Sequence, residues 1–370
     1  MQYALQFHFD PDFGHHRLRP KSREDGSVDQ FNLGFAQNVV VGQLLAEWAD
    51  LDSEAAPAPN AIVSETLAFP CSAGCRPDPA DPRRLLATVN GHVTYAGGLI
   101  TVHETLTVGR DIDFHTGNIV AIGDVLIGGT IRSGFEVSGR NVTVRGAVEA
   151  ARLTARGNVL CEGGIQGGNR ASIRAGKSLR ARFCETASLH AKQNILIEGA
   201  SMHCRLFAGE KLAVKGRLAG GEVYCGEAIY VGERLGGGGQ SQTRLLLGYD
   251  PEIIHKDQHL KALVRSDLLE IAACHEDMRR GEAQAAECGP QLEHMLNHLA
   301  LLKAQLQKLW SYPAALRRFS ACRVIVPGMV GANVEIGIGE AVLQAPEGAR
   351  DVVFHYQDGE IIMETPALRK

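Results

Sequence analysis

One short segment holds the side chains whose types and spacing are best suited to chemistry. Asp111 and Asp113 alternate along DIDFHTGNI, and Asn118 follows five residues later. Paired carboxylates with a nearby amide could bind a metal ion or exchange protons in acid–base catalysis. Thr116, Gly117 and Asn118 are instead typical of a turn. We interpret the segment as a turn that opens a β structure, and a binding or catalytic site is the alternative.

The other candidate groups lack the partners that their chemistry requires. Cys71 and Cys75 form one pair in CSAGC, without a second pair at a spacing that suits zinc. His294 and His298 stand four residues apart, without the glutamate of an HExxH motif. We therefore expect no catalytic residue, no metal and no cofactor. The nine scattered cysteines indicate reduced thiols in the cytoplasm rather than a disulfide framework.

An internal repeat specifies the elements that position these residues. Apolar anchors recur mostly every 17 residues, at Val108, Val125, Val142, Val159, Leu179, Ile195, Leu212 and Ile229. A second column that includes Leu153 and Ile173 has the same 20-residue step across the GGIQGGN insertion as the step from Val159 to Leu179. Stacked units of this size bury a continuous core, which predicts a β-solenoid.

Polar residues recur beside the anchors. Immediately before them stand Asp124, Asn141, Asn158, Ser178 and Asn194. Side chains of this kind hydrogen-bond to nearby backbone and tolerate left-handed turns, so they predict stacked corners of the solenoid.

Charged residues form a further column on the predicted outer face. Its members are Arg145, Glu162, Arg182, Glu198 and Lys215. Stacked coils lie about 4.8 Å apart, so opposite charges on successive coils attract. Residues 132–217 carry 15 Lys and Arg against 6 Glu, within a chain of net charge −4. This basic stretch is either a docking surface for an acidic partner or a solvated face, and the interleaved glutamates favour the solvated face.

The composition changes along the chain and predicts four segments. Residues 1–95 form a small α+β domain, in which residues 39–51 predict an amphipathic helix. Residues 96–250 form the β-helix. Residues 251–315 form an antiparallel coiled-coil hairpin, because apolar residues recur there at steps of three and four. Residues 316–370 return to strand patterns and close the β-helix.

Several further motifs follow one another in a distinctive order. DIDFHTGNI precedes GGIQGG, RARFCETASLHA, RLAGGEVYCGEAIYVGE and TRLLLGYDP, and VPGMVGANVEIG follows the helical hairpin. Over roughly residues 90–370 the chain resembles the flagellar assembly protein A family of bacteria. The resemblance implies a right-handed single-stranded β-helix interrupted by a coiled-coil hairpin. It also implies a cytoplasmic regulator or scaffold, linked to flagellar assembly, that acts through protein contacts.

Three classes of function are consistent with this organisation. We favour a non-enzymatic regulator or scaffold with protein partners, without a nucleic-acid partner or a membrane span. A self-assembling cytoskeletal or filament-forming β-helix is the first alternative, although both ends are predicted to be covered. A β-helix enzyme, such as an acyltransferase or a polysaccharide lyase, is the second, although hexapeptide acyltransferases repeat every ~18 residues. A homodimer through the leucine seam or a solenoid face also stays open.

Overall fold

The structure, a computed structural model, is mainly β. It contains 48% strand, a β-solenoid of about eight turns, two helices and a small N-terminal antiparallel sheet domain. It describes residues 2–14, 18, 21–22, 28–51, 62–237, 241–280, 285–311 and 319–366. Two compact units divide the chain, Met1–Ala191 with Leu196–Ala200 and Lys192–Ile195 with Ser201–Lys370. The predicted fold class is confirmed.

Short antiparallel strands open the first unit. They are β1 (Tyr3–Phe7), β2 (Lys21–Ser22), β3 (Val28–Asp29), β4 (Asn38–Val39), β5 (Leu44–Asp50), β6 (Val63–Ser64), β7 (Cys75–Pro77), β8 (Arg84–Ala87), β9 (Gly91–Ala96) and β10 (Leu99–His103). Their sheets have the orders β6-β1-β5-β8-β7, β10-β9-β4 and β2-β3. The predicted domain boundary after residue 95 falls inside the β9–β10 hairpin, and the four-segment division stays a prediction.

The predicted helix over residues 39–51 is wrong. Most of this segment is β5, which pairs antiparallel with β1 on one side and β8 on the other. Leu45, Ala46 and Trp48 are buried in the core between these strands. A short apolar run can fit either a helix or a strand, and here the long-range pairing decides for a strand. The described part of the N-terminal domain contains no helix.

Short parallel strands then form the coils of the first unit. They are β11 (Thr105–Val108), β12 (Ile119–Val120), β13 (Asp124–Ile127), β14 (Glu136–Gly139), β15 (Val142–Val144), β16 (Arg152–Ala155), β17 (Val159–Cys161), β18 (Ile165–Ala175), β19 (Leu179–Ala181) and β20 (Cys184–Ala191). Val125 pairs with Val142, and Val142 pairs with Val159. Leu153 pairs with Ile173 in a second column. The predicted repeat is confirmed from Val125 to Leu179, where each anchor lies in register with the next. The first predicted anchor is wrong, because Leu106 and not Val108 pairs with Val125, and Val108 pairs with Ile127.

Burial alternates along the short strands of these coils, such as β13, β15, β16 and β17. In β15, Val142 and Val144 are buried while Thr143 between them is partly exposed. Alternate side chains of a strand point to opposite faces, so each coil places its apolar residues on one inward stack. A third inward column joins Ile131 to Val148 and Val148 to Ile165. Three columns therefore meet in one continuous core.

The predicted polar corners are confirmed in the first unit. Asp124 Oδ1 accepts hydrogen bonds from the Asn141 backbone N–H at 3.1 Å and from its side-chain Nδ2 at 2.9 Å. Asn141 Oδ1 accepts the Asn158 N–H at 2.9 Å, and Asn158 Oδ1 accepts the Ser178 N–H at 3.1 Å. Each side chain thus satisfies a backbone donor of the next coil, where the chain turns and cannot continue its sheet.

The second unit continues with parallel coils and ends in antiparallel strands. After β21 (Ile195–Ile197), its strands are β22 (Ser201–Ala208), β23 (Lys211–Val214), β24 (Arg217–Cys225), β25 (Ala228–Val231), β26 (Arg234–Leu235), β27 (Thr243–Leu247), β28 (Arg323–Val330), β29 (Val334–Ile338), β30 (Ala341–Gln344), β31 (Arg350–Gln357) and β32 (Glu360–Glu364). The pairs β28–β31, β29–β30 and β31–β32 are antiparallel. A 3₁₀ helix spans Phe319–Ala321.

Two helices interrupt these coils. They are α1 (Pro251–Arg280) and α2 (Ala285–Trp310). Lys256 and Leu260 near the start of α1 line one cavity with Gln305 and Leu309 near the end of α2, so the helices run antiparallel. Leu299 and Leu302 of α2 are buried. Apolar residues at steps of three and four thus form the seam of the hairpin.

Removing an inward side chain should weaken the stack. We expect Leu153→Ala to lower the free energy of unfolding by about 2–5 kcal/mol, because a fully buried leucine leaves a cavity. Thr154→Ala, at the exposed neighbouring position of the same strand, is the matched control. Urea unfolding followed by circular dichroism measures both, and equal losses would contradict the inward stack.

Candidate functional site

The segment with the best candidate chemistry folds as a tight turn. Thr116 is fully buried, and its Oγ1 accepts the Asp113 backbone N–H at 2.8 Å. The same hydroxyl lies 3.1 Å from the Asp113 carbonyl and 3.3 Å from the Asp111 carbonyl, either of which accepts its proton. Asp113 Oδ1 accepts the His115 N–H at 2.8 Å. These hydrogen bonds close the turn on itself, as short polar side chains commonly do.

Asp111 faces the next coil and not a site shared with Asp113. Its Oδ1 accepts the Thr130 N–H at 2.8 Å, and its Oδ2 lies 2.7 Å from Arg132 Nη2. Arg132 Nη1 also lies 2.9 Å from Glu149 Oε1 on the following coil. The Thr130 N–H and then the Arg132 guanidinium hold the pKa of Asp111 below its ordinary value. The carboxylate is therefore one end of a charge ladder across three coils.

Gly117 and Asn118 meet the N-terminal domain. The Asn118 N–H donates to the Phe31 carbonyl at 2.5 Å, and Asn118 Oδ1 accepts the Glu136 N–H at 2.8 Å. Gly117 has a φ of +67°, and a Cβ there would lie 2.6 Å from the Phe31 carbonyl oxygen. Only glycine allows both this conformation and this close approach. The turn is thus a joint between the first coils and residues 31–33.

Aromatic packing and one asparagine extend this joint. The rings of Phe31, Phe114 and Phe135 lie 5.1–5.5 Å apart from one another. Asn38 Nδ2 donates to the Val120 carbonyl at 2.7 Å, and Asn38 Oδ1 accepts the Ile122 N–H at 3.0 Å. Sequence reasoning missed the joint, because nothing in the local pattern of residues 28–39 identifies what they contact.

The predicted charge column has a different arrangement of partners. Arg145, Glu162 and Arg182 directly follow the aligned strands β15, β17 and β19. In the described part of the chain, no ion pair of 4.0 Å or less joins these three residues. Glu198 Oε1 lies 2.9 Å from Arg180 Nη2, and Arg180 is not a member of the predicted column. The ladder through these residues and Lys215 stays a prediction.

Other columns form ladders of the predicted kind. In the first unit, Arg140 lies 2.8 Å from Asp124 and 3.3 Å from Glu104, and Arg152 lies 2.6 Å from Glu136. The Arg140 guanidinium and the Asn141 hydrogen bonds lower the pKa of Asp124. In the second unit, Glu222 lies 3.6 Å from Arg205 and 3.9 Å from Arg244, which lies 2.8 Å from Glu335. Coil stacking therefore aligns opposite charges repeatedly along the outer face.

A clamp in the second unit fixes the base of the hairpin. Arg205 Nη2 donates to Gln258 Oε1 of α1 at 2.8 Å, and Gln258 Nε2 donates to the Tyr224 hydroxyl at 2.6 Å. That hydroxyl donates to Glu222 Oε2 at 3.0 Å. Burial and then the Glu222 carboxylate raise the pKa of Tyr224 to about 12, so it stays a donor. The Phe207 ring stacks on Tyr224 at 4.9 Å, beside the buried Ile254.

No cluster of candidate metal ligands occurs in the part of the chain that the structure describes. There, no three His, Cys, Asp or Glu side chains are placed to share an ion. His298 Nδ1 contacts Asp267 Oδ2 across the helical seam at 2.8 Å. Cys75 Sγ donates to the Ile100 carbonyl at 3.3 Å, and burial raises the pKa of this thiol to about 11. These side chains contribute to packing of the hairpin and of the N-terminal sheets.

Comparison with known proteins agrees with the coil architecture. A family model, the flagellar assembly protein A beta solenoid domain, matches residues 104–361. The chain belongs to this family. The match begins beside β11, at the first coil, and ends within β32, so the N-terminal sheets lie outside it.

Searches of curated proteins and of solved structures gave no match. No helix among the described residues is long and apolar enough to cross a membrane.

The ladders should make stability depend on acid pH. The pKa values of Asp111 and Asp124 are lower in the folded protein than in the unfolded chain, where an aspartate has a pKa of about 4. Both carboxylates therefore stabilise the fold above about pH 4, and this stability is lost as the pH falls through their pKa values in the folded protein. We expect the double variant Asp111→Asn and Asp124→Asn to be less stable than the parent at pH 7. Urea unfolding between pH 7 and pH 2 should show a smaller fall for the variant.

Glu185→Gln is the matched control for this experiment, because Glu185 forms no ion pair with any described residue. Its stability should follow the parent curve. A double variant that loses as much stability in acid as the parent does would show that these ladders do not stabilise the fold.

Proposed function

We propose that this protein is a non-enzymatic cytoplasmic scaffold of flagellar assembly, and that its helical hairpin docks a protein partner. Family membership supports the link to flagellar assembly. The observation that carries the docking proposal is the outer surface of the hairpin. Four leucines are strongly exposed there: Leu268 at 50%, Leu269 at 67%, Leu296 at 49% and Leu301 at 63%.

These exposed side chains are not needed to hold the two helices together. The seam already buries Leu299 and Leu302, and the clamp at Gln258 fixes the base of α1. Single exposed leucines are common on protein surfaces, but several on one helical hairpin favour an interaction site. A partner that covers them would gain apolar burial without any change in the solenoid.

The proposal of a non-catalytic role rests on how the best candidate groups are used. Asp111 is shared between a backbone N–H and a guanidinium, and Thr116 is buried within its own turn. Asp113 accepts a backbone N–H of the same turn. A catalytic carboxylate or hydroxyl has to reach a substrate, and these groups are occupied by the fold.

Replacing two exposed leucines by a charged residue should abolish docking but not folding. We expect Leu269→Glu with Leu301→Glu to weaken partner binding by at least about tenfold, because the interface would have to bury unpaired carboxylates. The measurement is rescue of swimming in soft agar, in a strain of the source bacterium that lacks the protein, together with capture of flagellar proteins by the tagged full chain. Thermal unfolding checks that the variant is folded.

Val120→Glu is the matched control, because Val120 is 63% exposed in the first unit, outside the hairpin. It should rescue swimming as the parent chain does. If the strain that lacks the protein swam normally, the proposed flagellar role would be wrong. If Val120→Glu blocked capture and the leucine variant did not, the hairpin would not be the docking surface.

A further inference from the structure

One outward column of the second unit carries arginines without alternating carboxylates. Arg217 pairs in register with Arg234, Arg234 with Met329, and Met329 with Arg350. Their strand neighbours Leu218, Leu235 and Val330 are buried, so alternation directs the column outward. Three guanidinium groups thus occupy four neighbouring strands that are spaced about 4.8 Å apart.

Several other arginines of the solenoid are compensated by acids on stacked coils. Arg132 and Arg244 each contact a carboxylate on the coil before and on the coil after. Arg140 contacts two carboxylates on earlier coils. Within the described residues, neither Arg217, Arg234 nor Arg350 has a carboxylate within 4.0 Å. Like charges on facing positions of neighbouring strands are destabilising, so the pattern requires another reason.

The middle arginine supplies a second, independent observation. Arg234 Nε is buried and has no hydrogen-bond partner. A Cβ on Gly331 would lie 3.2 Å from this Nε and 3.3 Å from Nη2, so the guanidinium lies against the glycine backbone. A buried donor without a partner costs free energy, and a rotamer change that turns Nε towards a bound acceptor would recover this cost. Arg350 Nη2 lies 4.0 Å from Met329 Sδ, so the third guanidinium lies beside the same column.

We propose that Arg217, Arg234 and Arg350 form a binding site for the phosphoryl group of a phosphorylated ligand. A guanidinium presents its N–H donors in a planar fork that suits phosphate oxygens. A phosphomonoester offers three acceptor oxygens and a charge of about −1.5 to −2, which fits several guanidinium groups better than a single carboxylate does. The site lies on the solenoid face and is independent of hairpin docking.

Calorimetry with sodium pyrophosphate tests the site directly in the full chain. We expect the parent chain to bind pyrophosphate, and Arg234→Gln to bind it about tenfold or more weakly, because one charge-assisted contact is lost. The double variant Arg217→Gln with Arg350→Gln should lose binding further. Arg234→Lys keeps the charge without the fork and should fall between the parent and Arg234→Gln.

Arg145→Gln is the matched control. Arg145 is exposed and forms no ion pair with a described residue, but the residue at the same position of the next coil is an acid, Glu162, and not a second arginine. It should bind pyrophosphate as the parent does. Titrations at constant ionic strength remove the general effect of salt. Thermal unfolding of each variant shows that it is folded, and pyrophosphate should raise the melting temperature of the parent more than that of Arg234→Gln.

A second arm separates the two sources of a phosphoryl group. Vesicles of phosphatidylcholine with phosphatidic acid present it on a membrane surface, whereas pyrophosphate presents it in solution. Binding to either probe that depends on Arg234 supports the site and assigns its source. If the parent bound neither probe, or if Arg145→Gln weakened binding as much as Arg234→Gln, the proposal would be wrong.

Discussion

The in-register stacking of short parallel strands is the interaction on which the rest of the structure depends. Val142 contacts its neighbours on both sides in the stack because Val125 and Val159 occupy the same position of adjacent coils. No coil of about 17 residues can bury its apolar side chains alone, so each coil is stable only between two others. The family match covers this stack together with the interrupting hairpin.

Stacking also decides what the polar residues do. Side chains at the same position of successive coils lie one strand spacing apart. Attraction between opposite charges, or repulsion between like charges, is therefore repeated from coil to coil. Arg132 between Asp111 and Glu149 is the favourable case. Arg217 beside Arg234 is the unfavourable case, because two like charges face each other on neighbouring strands. A departure from charge alternation on the outer surface is the feature from which we infer a binding site.

Period and register could be predicted from the sequence, whereas particular side-chain partners could not. The anchors and the corner asparagines follow directly from a step of 17 residues. A long arginine side chain can reach several neighbouring acids, and register alone does not determine which one it contacts. Arg180 and not Arg182 contacts Glu198, at 2.9 Å. The strand β5 was predicted as a helix because its pairing with β1 and β8 is distant in sequence. The clamp between Arg205 and Gln258 joins two elements that are distant in sequence, so no local sequence pattern predicts it.

Removing one whole coil tests the central claim most directly. Deletion of residues 141–157 removes 17 residues and brings Val125 beside Val159, whereas deletion of residues 141–149 removes fewer residues but leaves part of a coil. Urea unfolding followed by circular dichroism should show that the larger deletion keeps a cooperative β-sheet transition and is the more stable of the two. A half-coil deletion as stable as the whole-coil deletion would contradict the account.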